Sequence, residues 1–149
     1  RDVYWDEPDF IIVDMPPGTG DVALTVAQMI PKAEALVVTT PQADAARVAV
    51  KAGRMAVQAH LRVIGVVENM SYAECPDCGK ELRIFGGDGG ERVASELGSR
   101  VLGRIPILPD ATGEPGRCLF EAGSSPARAF DEIAASLAAT KARKRIKVL

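Results

Sequence analysis

The chain has 149 residues, of which 47% are apolar and 26% charged, and its formal net charge is −2. This composition is typical of one globular domain, and it excludes a disordered tail, a collagen and a small disulfide-bonded scaffold. The balanced charge and the lack of any run of about 20 apolar residues predict no nucleic-acid partner and no membrane partner.

Four uninterrupted apolar runs predict β-strands. They are Phe10 to Val13, Leu36 to Val38, Val63 to Val67, and Val101 to Ile105. Unbroken runs of Val, Ile and Leu favour strands that are covered on both faces, as in a parallel sheet.

Four helical patterns lie between and after these runs. They are Asp21 to Ile30, a longer helix capped by Asp44, Gly90 to Leu97 closed by Gly98, and Ser125 to Ala139 capped by Ser125. The alternation predicts an α/β fold: a doubly wound, mostly parallel sheet with helices on both faces. In the second helix the expected apolar stripe is Ala45, Val48, Ala52, Met55 and Ala59, with Arg47, Lys51 and Arg54 on another face.

Polar side chains follow three of the predicted strands, at the edge where parallel sheets bind ligands. They are Asp14, then Thr39 and Thr40, then Glu68 and Asn69. The amide of Asn69 can pair with both a donor and an acceptor on a base edge, although a lone Asn also suits a turn. The only histidine, His60, suits a helix C-terminal cap better than catalysis.

The segment from Asp14 to Asp21 is the first specific motif. An Asp that closes an apolar strand can hold Mg²⁺ beside phosphates. Gly18, Thr19 and Gly20 then form a loop that can close on a γ-phosphate. The alternative is a Pro/Gly turn that leads into a helix capped by Asp21.

The pair Cys75 and Cys78, followed by Gly79, is the second specific motif. Two thiolates at this spacing can hold one metal from a tight turn, in which Gly79 permits a positive φ. Dithiol redox chemistry and inert surface cysteines are the alternatives. Three cysteines at this spacing do not make a secreted disulfide framework, and without a membrane span or a leader the protein is expected to be cytoplasmic. Zinc and iron-sulfur clusters need about four ligands, and a symmetric dimer would supply two more thiolates. The remaining Cys118 is expected to be structural, with a third-ligand role as the alternative.

The motifs, taken in order, resemble a known family. DFIIVDMPPGTGD at 9–21, TTPQ at 39–42, VENMS at 67–71, CPDCG at 75–79, IFG at 84–86 and GRIP at 103–106 are similar to the Mrp/ApbC iron-sulfur cluster carrier ATPases. That family is a MinD-like branch of the P-loop NTPases.

The resemblance implies a function and a set of roles. Asp14 corresponds to the magnesium-side acid and catalytic residue, Gly18 to Gly20 to the γ-phosphate loop, and Asn69 to the adenine contact. Cys75 and Cys78 correspond to ligands of a [4Fe-4S] cluster bridging a homodimer. The family binds ATP and Mg²⁺ and passes its cluster to apo iron-sulfur proteins. The rival hypotheses are a zinc-stapled nucleotide-binding module and a positioning or partitioning ATPase of the same superfamily.

The sequence departs from the family pattern in two places. It contains no G-x-x-x-x-G-K-[ST] phosphate loop, so this chain alone is expected to be inactive as an ATPase. The stretch Asp110 to Gly116 is shorter than its family counterpart. We expect residues 1–140 to be the C-terminal part of a MinD-like domain with an inserted cysteine loop at 71–87, and residues 141–149 to form a basic tail.

Overall fold

Helices and strands alternate along the chain in the computed structural model, which describes residues 8–16, 21–30, 32–107 and 123–145. The helices are α1 (Asp21–Met29), α2 (Ala43–Gln58), α3 (Gly89–Glu96) and α4 (Ser125–Arg145). The strands are β1 (Glu34–Thr39), β2 (Arg62–Glu68), β3 (Ala73–Glu74), β4 (Glu81–Leu82) and β5 (Val101–Arg104).

The main sheet is parallel, with the strand order β1-β2-β5. At its last rung, Glu68 pairs with Thr39 on one side and with Arg104 on the other. All three strands therefore end at one edge of the sheet. The predicted α/β class with a mostly parallel sheet is confirmed.

A core of small and branched residues joins the sheet to α2 and α3. Val66 of β2 and Val93 of α3 are fully buried, as is Ala46 of α2. The remaining buried members of this cluster are Val37, Ala49, Val50 and Ala94. Ala side chains let the helix axes approach closely, and close packing of this kind supplies most of the favourable free energy of folding.

The helix α4 packs against β5. A Cβ atom on Gly103 would overlap Cγ1 of Ile133, so glycine is required where the helix meets the strand. The glycine inside the predicted apolar run thus marks a close helix–strand contact.

The predicted first strand, Phe10 to Val13, is not a strand among the described residues. Its four side chains are exposed, and Ile12 is 90% accessible. A strand requires hydrogen bonds to a neighbouring strand, and no strand of the described ranges pairs with this run. The apolar run alone therefore does not determine the structure of this segment.

The prediction that every apolar run is covered on both faces is wrong for β1. Val37 and Thr39 are buried, whereas Leu36 and Val38 on the other face are exposed. Successive side chains of a strand point to opposite faces, so within the described ranges only one face of β1 is covered.

The buried face of α2 lies next to the predicted one. Instead of the stripe at Ala45, Val48, Ala52, Met55 and Ala59, the helix buries Ala46, Ala49, Val50 and Gly53. Val48 is 64% exposed. The predicted stripe left out Gly53, which has no side chain, whereas Leu97 after α3 packs so closely on Gly53 that an added Cβ atom would overlap it. The predicted charged residues Arg47, Lys51 and Arg54 are exposed as expected.

Two predicted helix caps are also corrected. Gln42, in extended conformation, precedes α2, and Asp44 lies in its first turn, where it pairs with Arg47. At α4 the amide of Ala127 donates to Oγ of Ser124 at 3.3 Å, so Ser124 and not Ser125 is the cap.

The last helix is longer than predicted, because α4 continues from Ala139 to Arg145. The expected basic tail at 141–149 is therefore helical in its first part. In the described ranges, no helix combines the length and the apolar character that crossing a bilayer requires.

His60 is the second residue after α2 and adopts the left-handed conformation, with φ 63°. The amide of His60 donates to the carbonyl of Val57, and that of Leu61 donates to Ala56. These two bonds define a Schellman motif, with His60 at the position that glycine usually occupies. Gly98 takes the same place after α3, with φ 60°, as the sequence predicted.

Replacing His60 by Gly is expected to stabilise the fold by about 0.5 kcal/mol, because glycine adopts the left-handed conformation without a Cβ clash. Urea unfolding monitored by circular dichroism measures the change. His60→Ala is the matched control, since alanine keeps the Cβ atom and gains nothing. Equal stability of the Gly and Ala variants would contradict the prediction.

Candidate metal centre and nucleotide edge

Cys75 and Cys78 lie in the turn of a short antiparallel hairpin formed by β3 and β4. The amide of Cys75 donates to the carbonyl of Lys80 at 3.0 Å, and the amide of Gly79 donates to the carbonyl of Cys75 at 2.8 Å. Gly79 has φ 68°, in the left-handed region that the sequence predicted for it. The turn thus holds both thiols on one compact unit.

The environment of Cys75 favours the thiolate. The backbone amides of Asp77 and Cys78 donate to its sulfur, and together with the Cys78 side chain they lower the pKa of the Cys75 thiol. Cys75 is half-buried and Cys78 is exposed. Thiolates are the form of cysteine that binds metal, so the turn favours Cys75 in the form that a metal ion requires.

Two glutamates lie at the base of the hairpin. Glu74 and Glu81 stand directly opposite each other in the β3–β4 register. Oγ of Ser125, at the start of α4, donates to Oε2 of Glu74 at 2.6 Å. Burial, followed by the charges of Glu81 and Glu74, raises the pKa of the Tyr72 phenol. The charge of Arg128 acts on the same phenol in the opposite direction, so the base of the hairpin carries charges of both signs.

Backbone hydrogen bonds anchor the hairpin to the end of β5. The amide of Ser71 donates to the carbonyl of Ile105 at 3.0 Å, and the amide of Ile107 donates to the carbonyl of Tyr72 at 2.7 Å. Ala73 continues this parallel contact with Ile107. The position of the cysteines is therefore set by the sheet.

Asn69 follows β2 at the edge where the three strands end. The backbone amide of Asn69 donates to the carbonyl of Thr39 at 2.8 Å. Its side-chain Oδ1 accepts a hydrogen bond from the backbone amide of Met70 at 2.9 Å. The hydroxyl of Thr40 donates to Oε1 of Gln42 beside it. Asn69 and Thr39, two of the polar residues predicted at the strand ends, are therefore neighbours at this edge.

The other predicted site residues are not joined to this edge by any described contact. Asp14 lies in the exposed segment 8–16. Gly18, Thr19 and Gly20 lie outside the described residues, as do Cys118 and the stretch Asp110 to Gly116.

His60 is too far from the cysteines to share a metal with them. It precedes β2, whereas the cysteine hairpin follows the other end of that strand. Seven extended residues span about 20 Å. In the described part of the chain, no three His, Cys, Asp or Glu side chains are grouped to hold a metal. This part therefore offers two thiols, which is half of a four-ligand set.

The buried carboxylate of Glu68 is the feature that sequence reasoning missed. It is 4% exposed and accepts hydrogen bonds from Ser71 and from the amide of Gly90. The available signal was a charged residue that directly ends an apolar run, with a serine three positions later. That pattern marked the strand end but not the hydrogen bonds.

A family model described as "ParA: NUBPL iron-transfer P-loop NTPase" matches residues 1–138 of the chain. The chain belongs to this family. The Mrp/ApbC resemblance of the motifs is thereby confirmed at the level of the family.

Curated relatives of this ParA-family chain carry one common name. The iron-sulfur cluster carrier protein of Mycobacterium leprae is 50% identical over 124 residues, covering 83% of this chain and 32% of the relative. The carrier protein of Pyrococcus furiosus is 46% identical over 139 residues, covering 91% of this chain and 47% of the relative. The chain thus spans about a third to a half of the length of these relatives.

A solved structure shares the fold of this ParA-family chain. It is a nucleotide-binding protein in complex with ADP from Archaeoglobus fulgidus, found with cobalt. The identity is 38% and the TM-score 0.51, over 64% of this chain and 40% of that one.

The pH at which Cys75 begins to react with iodoacetamide is expected to be lower in the folded protein than in urea, because the backbone amides of Asp77 and Cys78 lower the pKa of its thiol in the folded turn. Mass spectrometry of the alkylated peptide, followed across pH, gives the rate in each condition. The same pH profile with and without urea would contradict the assignment.

Proposed function

We propose that this sequence belongs to an iron-sulfur cluster carrier that holds a [4Fe-4S] cluster between two copies and transfers it to apo iron-sulfur proteins. The observation that carries the proposal is the hairpin turn. It presents Cys75 and Cys78 together, with backbone amides pointing at the Cys75 sulfur. The names of the family and its relatives support iron-sulfur cargo.

The ligand count favours a second copy of the chain. A [4Fe-4S] cluster needs four thiolates, and a two-fold axis at the hairpin doubles the two available here. The surface beside the cysteines suits such a contact, because Leu82, Ile84 and Phe85 are 50%, 58% and 43% exposed. Several exposed large apolar side chains in one short segment favour a protein interface there.

A cluster held in this way is readily released. Each copy contributes only two ligands, so separation of the copies breaks the ligand set without unfolding either chain. Once the copies separate, the exposed Cys78 leaves its share of the cluster within reach of an acceptor. Transfer to apoproteins then requires opening of the interface, not unfolding of the carrier.

The strand-end edge is the proposed nucleotide site. Asn69 lies beside Thr39 there, and its amide group suits the edge of adenine. In the intact protein, Asp14 would hold Mg²⁺, and Gly18, Thr19 and Gly20 would meet the γ-phosphate. The ADP complex of the Archaeoglobus relative supports a nucleotide at this fold.

Hydrolysis of ATP is proposed only for the intact protein. Charge stabilisation of the β- and γ-phosphates needs a phosphate loop with its lysine, and this sequence contains none. We place the carrier in the cytoplasm, because a labile cluster and free thiols persist in a reducing compartment.

Anaerobic reconstitution with iron and sulfide tests the cargo. We expect four iron and four sulfide per two chains, with visible charge-transfer absorbance. Cys75→Ser and Cys78→Ser, each alone, are expected to abolish both, because either change removes two of the four ligands of the dimer.

Cys118→Ser is the matched control for this experiment and is expected to retain the cluster. If the isolated protein holds zinc without acid-labile sulfide and forms no cluster after reconstitution, the carrier proposal is contradicted and a zinc-stapled module is supported.

Asn69→Ala is expected to weaken ATP binding by the full-length protein about tenfold and to reduce its preference for ATP over GTP, since paired hydrogen bonds to adenine are lost. Calorimetric titration with both nucleotides measures the two effects. Gln58→Ala, an exposed change on α2, is the control. Unchanged ATP affinity and selectivity in Asn69→Ala would remove this residue from the site.

A further inference from the structure

The buried carboxylate of Glu68 accepts one hydrogen bond at each of its two oxygen atoms. Glu68 is the last residue of β2, and only 4% of it is exposed. Oγ of Ser71 donates to its Oε1 at 2.5 Å, and the amide of Gly90 donates to its Oε2 at 2.6 Å. Hydrogen bonds to a buried charged acceptor are among the stronger ones in proteins.

The two donors stand at opposite ends of the cysteine loop. Ser71 precedes the hairpin that holds Cys75 and Cys78, and Gly90 lies in the first turn of α3, which follows the loop. One carboxylate therefore holds both ends of the loop to the same strand end. No other side chain in the described ranges is recorded as bonding to both Ser71 and Gly90.

The same residue is continuous with the nucleotide edge. The Glu68 backbone pairs with Thr39 and Arg104 in the sheet, and the next residue is Asn69. A displacement of this strand end therefore moves the Glu68 carboxylate and, through it, the two ends of the loop.

Helix capping alone does not explain the arrangement. Asp88 precedes α3 and makes no capping bond with its side chain, so Oε2 of Glu68 serves the helix through Gly90. The bond from Ser71 to the other oxygen has no role in capping. Nε of Arg104 is 3.7 Å from Oε1 of Glu68, but Arg104 is partly exposed and also pairs with Glu91. It therefore holds the Glu68 carboxylate less strongly than the two hydrogen bonds do.

We propose that Glu68 is a positioning residue that clamps the two ends of the cysteine loop and makes Cys75 and Cys78 move with the strand end beside Asn69. The link to nucleotide and cluster rests on the proposed function. The clamp itself is a property of the apo chain and is measurable without either ligand.

Hydrogen exchange of the apo protein tests the clamp. Ser71→Ala removes the bond at the start of the loop and leaves the bond to Gly90. We expect about tenfold faster amide exchange in residues 72–87, with α3 unchanged. Glu68→Ala is expected to speed both segments, and adding Ser71→Ala to it is expected to speed the loop no further, since the two act through one contact.

Two further variants separate the clamp from a general loss of stability. Glu68→Gln keeps an acceptor for the amide of Gly90 and a polar group for Ser71. It is therefore expected to retain most of the protection from exchange that Glu68→Ala loses. Glu91→Gln removes the other partner of Arg104 without touching the loop and is expected to match the wild type. The clamp is overturned if Ser71→Ala leaves the loop at the wild-type rate, or if Glu91→Gln accelerates it as much as Glu68→Ala does.

A nucleotide arm tests the coupling in the full-length protein, with ATP binding measured separately by calorimetry. ATP and Mg²⁺ are expected to change exchange of residues 72–87 in the wild type and to change it less in Ser71→Ala. ATP that binds without altering the wild-type loop overturns the coupling. Failure of ATP to bind overturns the proposed nucleotide site instead, and the apo measurements then decide the clamp alone.

Discussion

Backbone pairing at the carboxyl ends of three parallel strands determines where the cysteines lie. The pairing does not stop at the last rung of the sheet: the amide of Ile105 donates to Glu68, that of Ser71 to Ile105, and that of Ile107 to Tyr72. The cysteine hairpin is thus an extension of the sheet edge. Because the same edge carries Asn69, the candidate metal centre and the candidate nucleotide site share one rigid base.

The chemistry of the hairpin follows from its small size. A turn of this length can present two sulfurs but not four, and the described residues add no third ligand. Amides directed at Cys75 favour the charged thiolate, which is the form that binds metal. Two thiolates are half of the ligand set that a zinc ion or an iron-sulfur cluster would need. An exposed apolar surface beside an open half-site suits a second copy of the chain.

Much of this could be predicted from local sequence. The run Val63 to Val67 predicts a strand covered on both faces, and Gly79 and Gly98 occupy the left-handed positions that the sequence assigned to them. Local chemistry suffices in these cases because strand burial and turn conformation depend on a few adjacent residues. The α/β class and the family follow from the same motifs.

The errors concern features that depend on distant contacts. Phe10 to Val13 has the composition of a strand but no strand partner in the described ranges, and α2 buries a face that includes Gly53, on which Leu97 packs closely. The double role of Glu68 depends on Gly90, 22 residues away, which no periodicity reveals. Local pattern therefore predicts the elements better than the contacts between them.

Native mass spectrometry of the anaerobically reconstituted protein tests the central claim most directly, because it weighs the chains and the cluster together. The account predicts a species with two chains and one [4Fe-4S] cluster, and apo chains when the cluster is removed. A single chain that retains a complete cluster would contradict it, since Cys75 and Cys78 would then not be half of a shared ligand set.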